Sequence, residues 1–176
     1  MLNTRLVVSN STPLIQLAKL GAVEILEELY GEIIIPGKVY EEVVVEGKKL
    51  GRDDAYSIDS FVGEWIKVVE VASKEIVAHA EMYKLHEGEF QVIVLALKRK
   101  AGIVLIDESR ARGVAKKMGL RPVGTVGILL KAFNEKLVSY DAIKSYLMRM
   151  HNRPDEFWIS PRIIEKALSS LIKIKQ

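Results

Sequence analysis

The residues of this chain that could do chemistry are oxygen-bearing side chains placed just after strand-like runs. The run GIVLI, residues 102–106, delivers Asp107 and Glu108 directly at its end. The run RLVVS, residues 5–9, is followed at once by Asn10, Ser11 and Thr12. Glu42 sits in the early turns of a helix expected after the apolar residues Ile33 to Ile35, and Glu89 stands at the start of the apolar segment FQVIVLALKRK. In open parallel sheets ligands bind outside the carboxyl ends of the strands, so these positions are able to converge. Carboxylates and an amide oxygen suit a hard divalent cation, Mg²⁺ or Mn²⁺, which takes oxygen ligands and keeps several waters. Such a cation activates a water and stabilises the leaving oxygen of a phosphodiester. The expected donors are Asn10, Glu42, Glu89 and Asp107, with Glu108 as a further one. Arg110, Arg112, Lys116 and Lys117 crowd the helix expected after Asp107, and beside an acidic metal site the arginines would hold backbone phosphates.

Every one of these residues also has an ordinary structural use. Asn10, Ser11 and Thr12 are good helix caps. Glu41, Glu42 and Glu89 are acids in first turns, where the helix dipole favours them. Asp107 is able to cap the helix RARGVAKK.

Composition removes other chemistries. The 176 residues contain no cysteine, which excludes a disulfide scaffold, a thiolate metal site and a thiol nucleophile. Lys plus Arg is 26 against 23 for Asp plus Glu, and a net charge of +3 permits a nucleic-acid partner without demanding one. No Walker A loop is present, and no G-x-G-x-x-G follows the first strand. His79 and His86 are two helical turns apart but lack a third zinc ligand. No apolar run is long enough for a membrane span and the N-terminus does not read as a signal peptide, so a cytoplasmic location is expected.

The elements that must position the candidates alternate in type. After the strand at 5–9, LIQLAKLGAVEILEELYG reads as two short helices divided by Gly21 and closed by Gly31. A buried strand at 33–35 breaks at Pro36 into the helix carrying Glu41 and Glu42. Residues 46–60 read as a loop or an irregular short helix, 64–71 as a strand, and 73–86 as a helix opened by Ser73. A largely buried helix, the strand 102–106, a basic helix, a short strand at Pro122 and Val123 and a helix from about 126 to 136 follow. Two amphipathic helices, YDAIKSYLMRM and SPRIIEKALSSLIKI, complete the chain, the second opened by Ser160 and Pro161. This alternation predicts a three-layer α/β/α fold with a central, mainly parallel sheet. The expected division is a domain over 1–138 and a helical extension over 139–176, packed on that domain or on a second subunit.

Four segments taken in order, VVSNSTPLIQLAKLG, IPGKVYEEVV, HEGEFQVIVLALKRKAGIVLIDESRARGVAKKMGL and GTVGILLKA, resemble the PIN-domain proteins, over residues 5 to about 137. The resemblance implies an α/β/α fold with a central parallel sheet. It also implies a metal-dependent ribonuclease, in many members the toxin of a VapC-type toxin–antitoxin pair, and with it RNA, a small antitoxin and a homodimer as partners. The family's acids fall on Asn10, Glu42, Glu89 and Asp107, and the hydroxyl after the first acid on Ser11 or Thr12, beside substrate phosphate. Active members carry Asp where this chain has Asn10. An amide oxygen ligates Mg²⁺ but adds no charge. The resemblance therefore also fits a weakened or inactive nucleic-acid-binding module.

Overall fold

Five short runs, three of them wholly apolar or nearly so, pair side by side. They are β1 (Val7–Ser9), β2 (Ile33–Pro36), β3 (Ile66–Val69), β4 (Ile103–Leu105) and β5 (Arg121–Val123). In the computed structural model, which describes residues 6–71 and 81–174, they form one all-parallel sheet in the order β3-β2-β1-β4-β5. Every residue of β1, β2 and β4 is buried. Successive strand residues point to opposite faces, so both faces of these strands are covered, as an all-parallel sheet requires. The chain begins at the centre with β1, winds outward through β2 and β3, then crosses back to β4 and β5. The order therefore reverses between β1 and β4, which makes that gap the topological switch point.

The connecting helices follow from local signals. In α1 (Ser11–Leu20), Gly21 ends the helix in the left-handed conformation at φ 68°, with its N–H on the Ala18 and Leu17 carbonyls. The helix α2 (Ile25–Tyr30) leads to β2. After β2, α3 (Gly37–Tyr40) runs without a break through one π-helical turn, Glu41–Val45, into α4 (Glu46–Lys49). Three consecutive valines occupy that turn, and β-branched side chains crowd a regular α-helix. The stretch 46–60 is more helical than its composition suggests. It holds α4 and α5 (Asp53–Asp59), joined at Gly51 with φ 66°. An ion pair between Lys48 and Asp59 ties the two together. A Cβ on Gly47 would lie 2.6 Å from the Ala55 methyl, so the close approach of α4 to α5 depends on a glycine there. The strand expected over 64–71 is shorter, at 66–69. Most of the helix expected over 73–86, with His79, lies outside the described residues. Beyond it come α6 (Glu87–Lys98) and α7 (Ser109–Lys117).

The chain clusters into two compact units, residues 1–124 and 125–176. In the second unit α8 (Thr125–Asn134) packs with α9 (Tyr140–Asn152) and α10 (Pro161–Ile174). Ile143, Leu147 and Met150 of α9 and Ile164, Ala167 and Leu171 of α10 are buried at helical spacing, and Phe157 between the two helices is wholly buried. Among the described residues no helix is long and apolar enough to cross a membrane.

One residue of the first unit is at odds with its surroundings. Gln16 of α1 is fully buried and neither of its amide atoms has a hydrogen-bond partner. An unsatisfied buried polar group costs about 1–3 kcal/mol. Gln16→Leu should therefore raise the unfolding free energy by about 1–3 kcal/mol, at about 2–4 °C of Tm per kcal/mol for a chain of this size. A scan showing an unchanged or lower Tm would count against an unpartnered amide.

Candidate functional site

The carboxyl ends of β1 and β4 are joined by backbone. The Asn10 N–H donates to the Leu105 carbonyl at 2.9 Å, continuing the ladder past the Ser9 and Leu105 pair. The Ile106 N–H does the same to Val123 of β5, also at 2.9 Å. Asn10 and Asp107 thus leave neighbouring strands at the same edge of the sheet. Asn10 is only 6% exposed. It precedes α1 in an extended conformation, yet its side chain makes no capping hydrogen bond.

A second pair of candidates meets across the chain. The Ser11 hydroxyl donates to Glu42 Oε2 at 2.6 Å. Thr12, the other hydroxyl, lies half-buried in the first turn of α1. Glu41 turns outward instead and pairs with Lys38 at 2.7 Å, the solvated role its helix position allows. The Glu42 carboxylate lies against Gly88, where an added Cβ would come within 3.0 Å of Oε1. Glu89, next along, is 7% exposed and accepts the His86 N–H on Oε2 at 2.9 Å, closing the first turn of α6.

On the β4 side the cap of α7 falls one residue later than Asp107 allows. Glu108 is the N-cap, its side chain accepting the Arg110 N–H at 3.5 Å, whereas Asp107 stays with the strand end. A Cβ on Gly124 would lie 2.7 Å from Asp107 Oδ1 and 3.1 Å from Arg112 Nη1, so both groups converge on that glycine. Arg112 Nη1 donates to the Ile106 carbonyl at 2.8 Å. The Arg110 side chain is exposed. Gly88 and Gly124 are the residues that sequence reasoning missed. Gly88 stands between two acids in the sequence, but Gly124 carries no such signal, and in both cases the carboxylate that fills the space, Glu42 or Asp107, comes from elsewhere in the chain.

Glu89 links the two halves electrically. Burial pushes its carboxyl above the ordinary range. The His86 N–H and ring oppose the shift, and the negative charges of Glu108 and Glu42 add to it. Ser11, the His86 N–H and the Arg110 N–H are neutral donors, so the charges on Glu42, Glu89 and Glu108 are solvated in part but not cancelled. Carboxylate oxygens with neutral donors around them are the ligand type a hard cation takes. Among the described residues no three His, Cys, Asp or Glu are grouped to hold an ion directly. Mg²⁺ needs only one or two carboxylates, with water and substrate phosphate completing its shell.

The PIN-domain family model matches residues 6–173, and the chain belongs to that family. The α/β sandwich is thereby a nuclease-type fold, of a kind generally dependent on divalent metal. No curated protein and no solved structure matches the chain.

The raised affinity of Glu89 for a proton has a signed consequence for stability. Below the ordinary carboxylate range both folded and unfolded chains hold the proton; as pH rises through the raised folded value, the native state is left with a disfavoured charge. Glu89→Gln should therefore match wild type in Tm near pH 4 and exceed it at pH 8. Thermal scans across that range check this, and a variant less stable at pH 8 than at pH 4, relative to wild type, would refute it.

Proposed function

We propose that the chain is a divalent-metal-dependent endoribonuclease whose site lies at the switch point between β1 and β4. The observation that carries the reading is the contact of Ser11 with Glu42, adjoining Gly88 and Glu89, at the sheet edge where Asn10 and Asp107 also emerge. Glu42, Glu89 and Asp107 would hold the cation, directly or through water, with Asn10 as an uncharged auxiliary ligand and Glu108 as an outer one. Bound Mg²⁺ or Mn²⁺ would supply polarisation of a water and of the scissile phosphate. Glu89 Oε2 accepts the His86 N–H, so Oε1 would be the oxygen offered to the ion. Ser11 fixes the Glu42 carboxylate. Arg112, bonded to the Ile106 carbonyl, steadies the strand end that carries Asp107, while Arg110 is free to reach substrate phosphate. Thr12 stands beside Ser11 as a second hydroxyl for that phosphate. A toxin role, with a small antitoxin and a homodimer as partners, extends this proposal on family resemblance alone.

A second reading is a nucleic-acid-binding module without turnover, and Asn10 favours it. The amide contributes an oxygen but no charge, and charge count tunes the affinity of an oxygen site. The two readings separate on variants. Under the nuclease reading Asn10→Asp should raise Mn²⁺ affinity and RNA cleavage, and Asp107→Asn should lower both, each on the order of tenfold or more. The measurement is cleavage of a mixed RNA pool with and without Mn²⁺. Absence of turnover in both wild type and Asn10→Asp would leave the binding module.

A further inference from the structure

At the amino edge of the sheet, opposite the acids, the ends of β2 and β3 carry Glu32 and Glu64, whereas the β4 and β5 side carries cations. Both α6 and α7 run back from the carboxyl edge to the amino edge, where they deliver the chain to β4 and β5. Lys98, Arg99 and Lys100 end α6, Lys116 and Lys117 end α7, and Arg121 opens β5. Backbone bonds join these three segments. Arg121 N–H donates to the Gly102 carbonyl at 3.0 Å, and Leu120 N–H to the Ala115 carbonyl at 3.0 Å. All six side chains are exposed. None of the six has an acidic partner among the described residues.

The helix dipole accounts for part of this. Cations are favoured in the last turn of a helix, which covers Lys98, Lys116 and Lys117. It extends to Arg99, the C-cap of α6, and to Lys100 beside it, but not to Arg121, which opens β5. Lys100 in addition adopts φ 53°, the left-handed conformation that glycine takes without strain. Lys84 and Lys136, outside this group, share that conformation, so it marks Lys100 as strained without singling it out.

We propose that this strip of Lys98, Arg99, Lys100, Lys116, Lys117 and Arg121 binds the phosphate backbone of single-stranded RNA, at the edge of the sheet opposite the proposed cleavage site. The choice of RNA rests on the function proposed above; the strip itself rests on its own geometry. Its composition favours a nucleic acid over a protein. Protein interfaces are depleted in lysine and enriched in aromatic residues, whereas phosphates are contacted mainly by Lys and Arg. The strip contains four lysines and two arginines, and Leu97 is the one large apolar residue exposed within the segments that form it.

The test uses the full chain in EDTA, so that binding is read without cleavage. The probes are a 20-nucleotide single-stranded RNA of mixed sequence and a poly-glutamate of equal charge. Replacing Lys116, Lys117 and Arg121 together by Gln should weaken RNA binding by about tenfold or more and reduce the slope of log affinity against log salt by about 2, at about 0.7 per phosphate contact. Lys100→Gly should weaken RNA binding without lowering Tm, because it relieves the left-handed strain. Lys116→Arg with Lys117→Arg should retain affinity. RNA binding and salt slope unchanged in the triple variant would overturn the proposal. So would poly-glutamate binding as tight as that of RNA and equally lost in the variant, which would mark a surface for an acidic polypeptide. A wild type that binds RNA through the strip but never cleaves it with Mn²⁺ defeats the nuclease reading and leaves the strip standing.

Discussion

The site depends on the hydrogen bond from the Asn10 N–H to the Leu105 carbonyl. It holds the exit of β1 in register with the exit of β4, and both strands are only three residues long. Because side chains alternate with a period of two, a slip of one residue would turn every side chain of β1 to the other face of the sheet. The pairs of Val7 with Ile103, Val8 with Val104 and Ser9 with Leu105 define that register, which the hydrogen bond at Asn10 extends. Once the register is set, α1 begins at Ser11, and its hydroxyl reaches Glu42 on a helix from the next crossover. The alignment of the acids is thus a consequence of backbone pairing in the centre of the sheet.

Gathering acids has a cost that the local structure moderates. Glu42, Glu89 and Glu108 each accept a hydrogen bond from a hydroxyl or a backbone N–H, while Glu41, one residue from Glu42, pairs with a lysine at the surface. Neutral donors orient a carboxylate without removing its charge. The residual repulsion is visible at Glu89, where burial and its like-charged neighbours together disfavour the ionised form. Gly88 and Gly124 contribute by absence: a methyl at either position would contend with the Glu42 or Asp107 carboxylate for the same space.

Much of this was legible in the sequence because it depends on local pattern. Strand-like runs ending in Asn10 and Asp107, the glycine stops at 21 and 31, and the cap before α10 are short-range signals. The parallel sheet follows from alternation of elements. What was not legible depends on tertiary contact. Residues 46–60 are polar and contain glycine, yet they fold as helices because Gly47 allows Ala55 to approach and Lys48 pairs with Asp59. The choice of Glu108 over Asp107 as the cap of α7 turns on a single residue of helix start, at the limit of what pattern resolves. The roles of Gly88 and Gly124 require knowing which side chains arrive from elsewhere in the fold.

Under the proposed function, Asn10 and the basic strip bear on the same balance. Acids at the carboxyl edge attract a cation but repel a phosphate backbone, and the fewer charges they carry, the weaker both effects become. An amide at position 10 relieves repulsion among buried acids and so favours the metal-free fold, while lowering the pull on a cation. A substrate held only at the acidic edge would need that cation to bridge each approach. Cations at the amino edge, placed across the sheet, attract the backbone without neutralising the acids. A net charge of +3 thus conceals an uneven distribution, with cations concentrated where α6 and α7 end. The strip lets one small fold hold a polyanion at a place distant from the carboxylates, which keep Arg110, Arg112 and Lys38 near them.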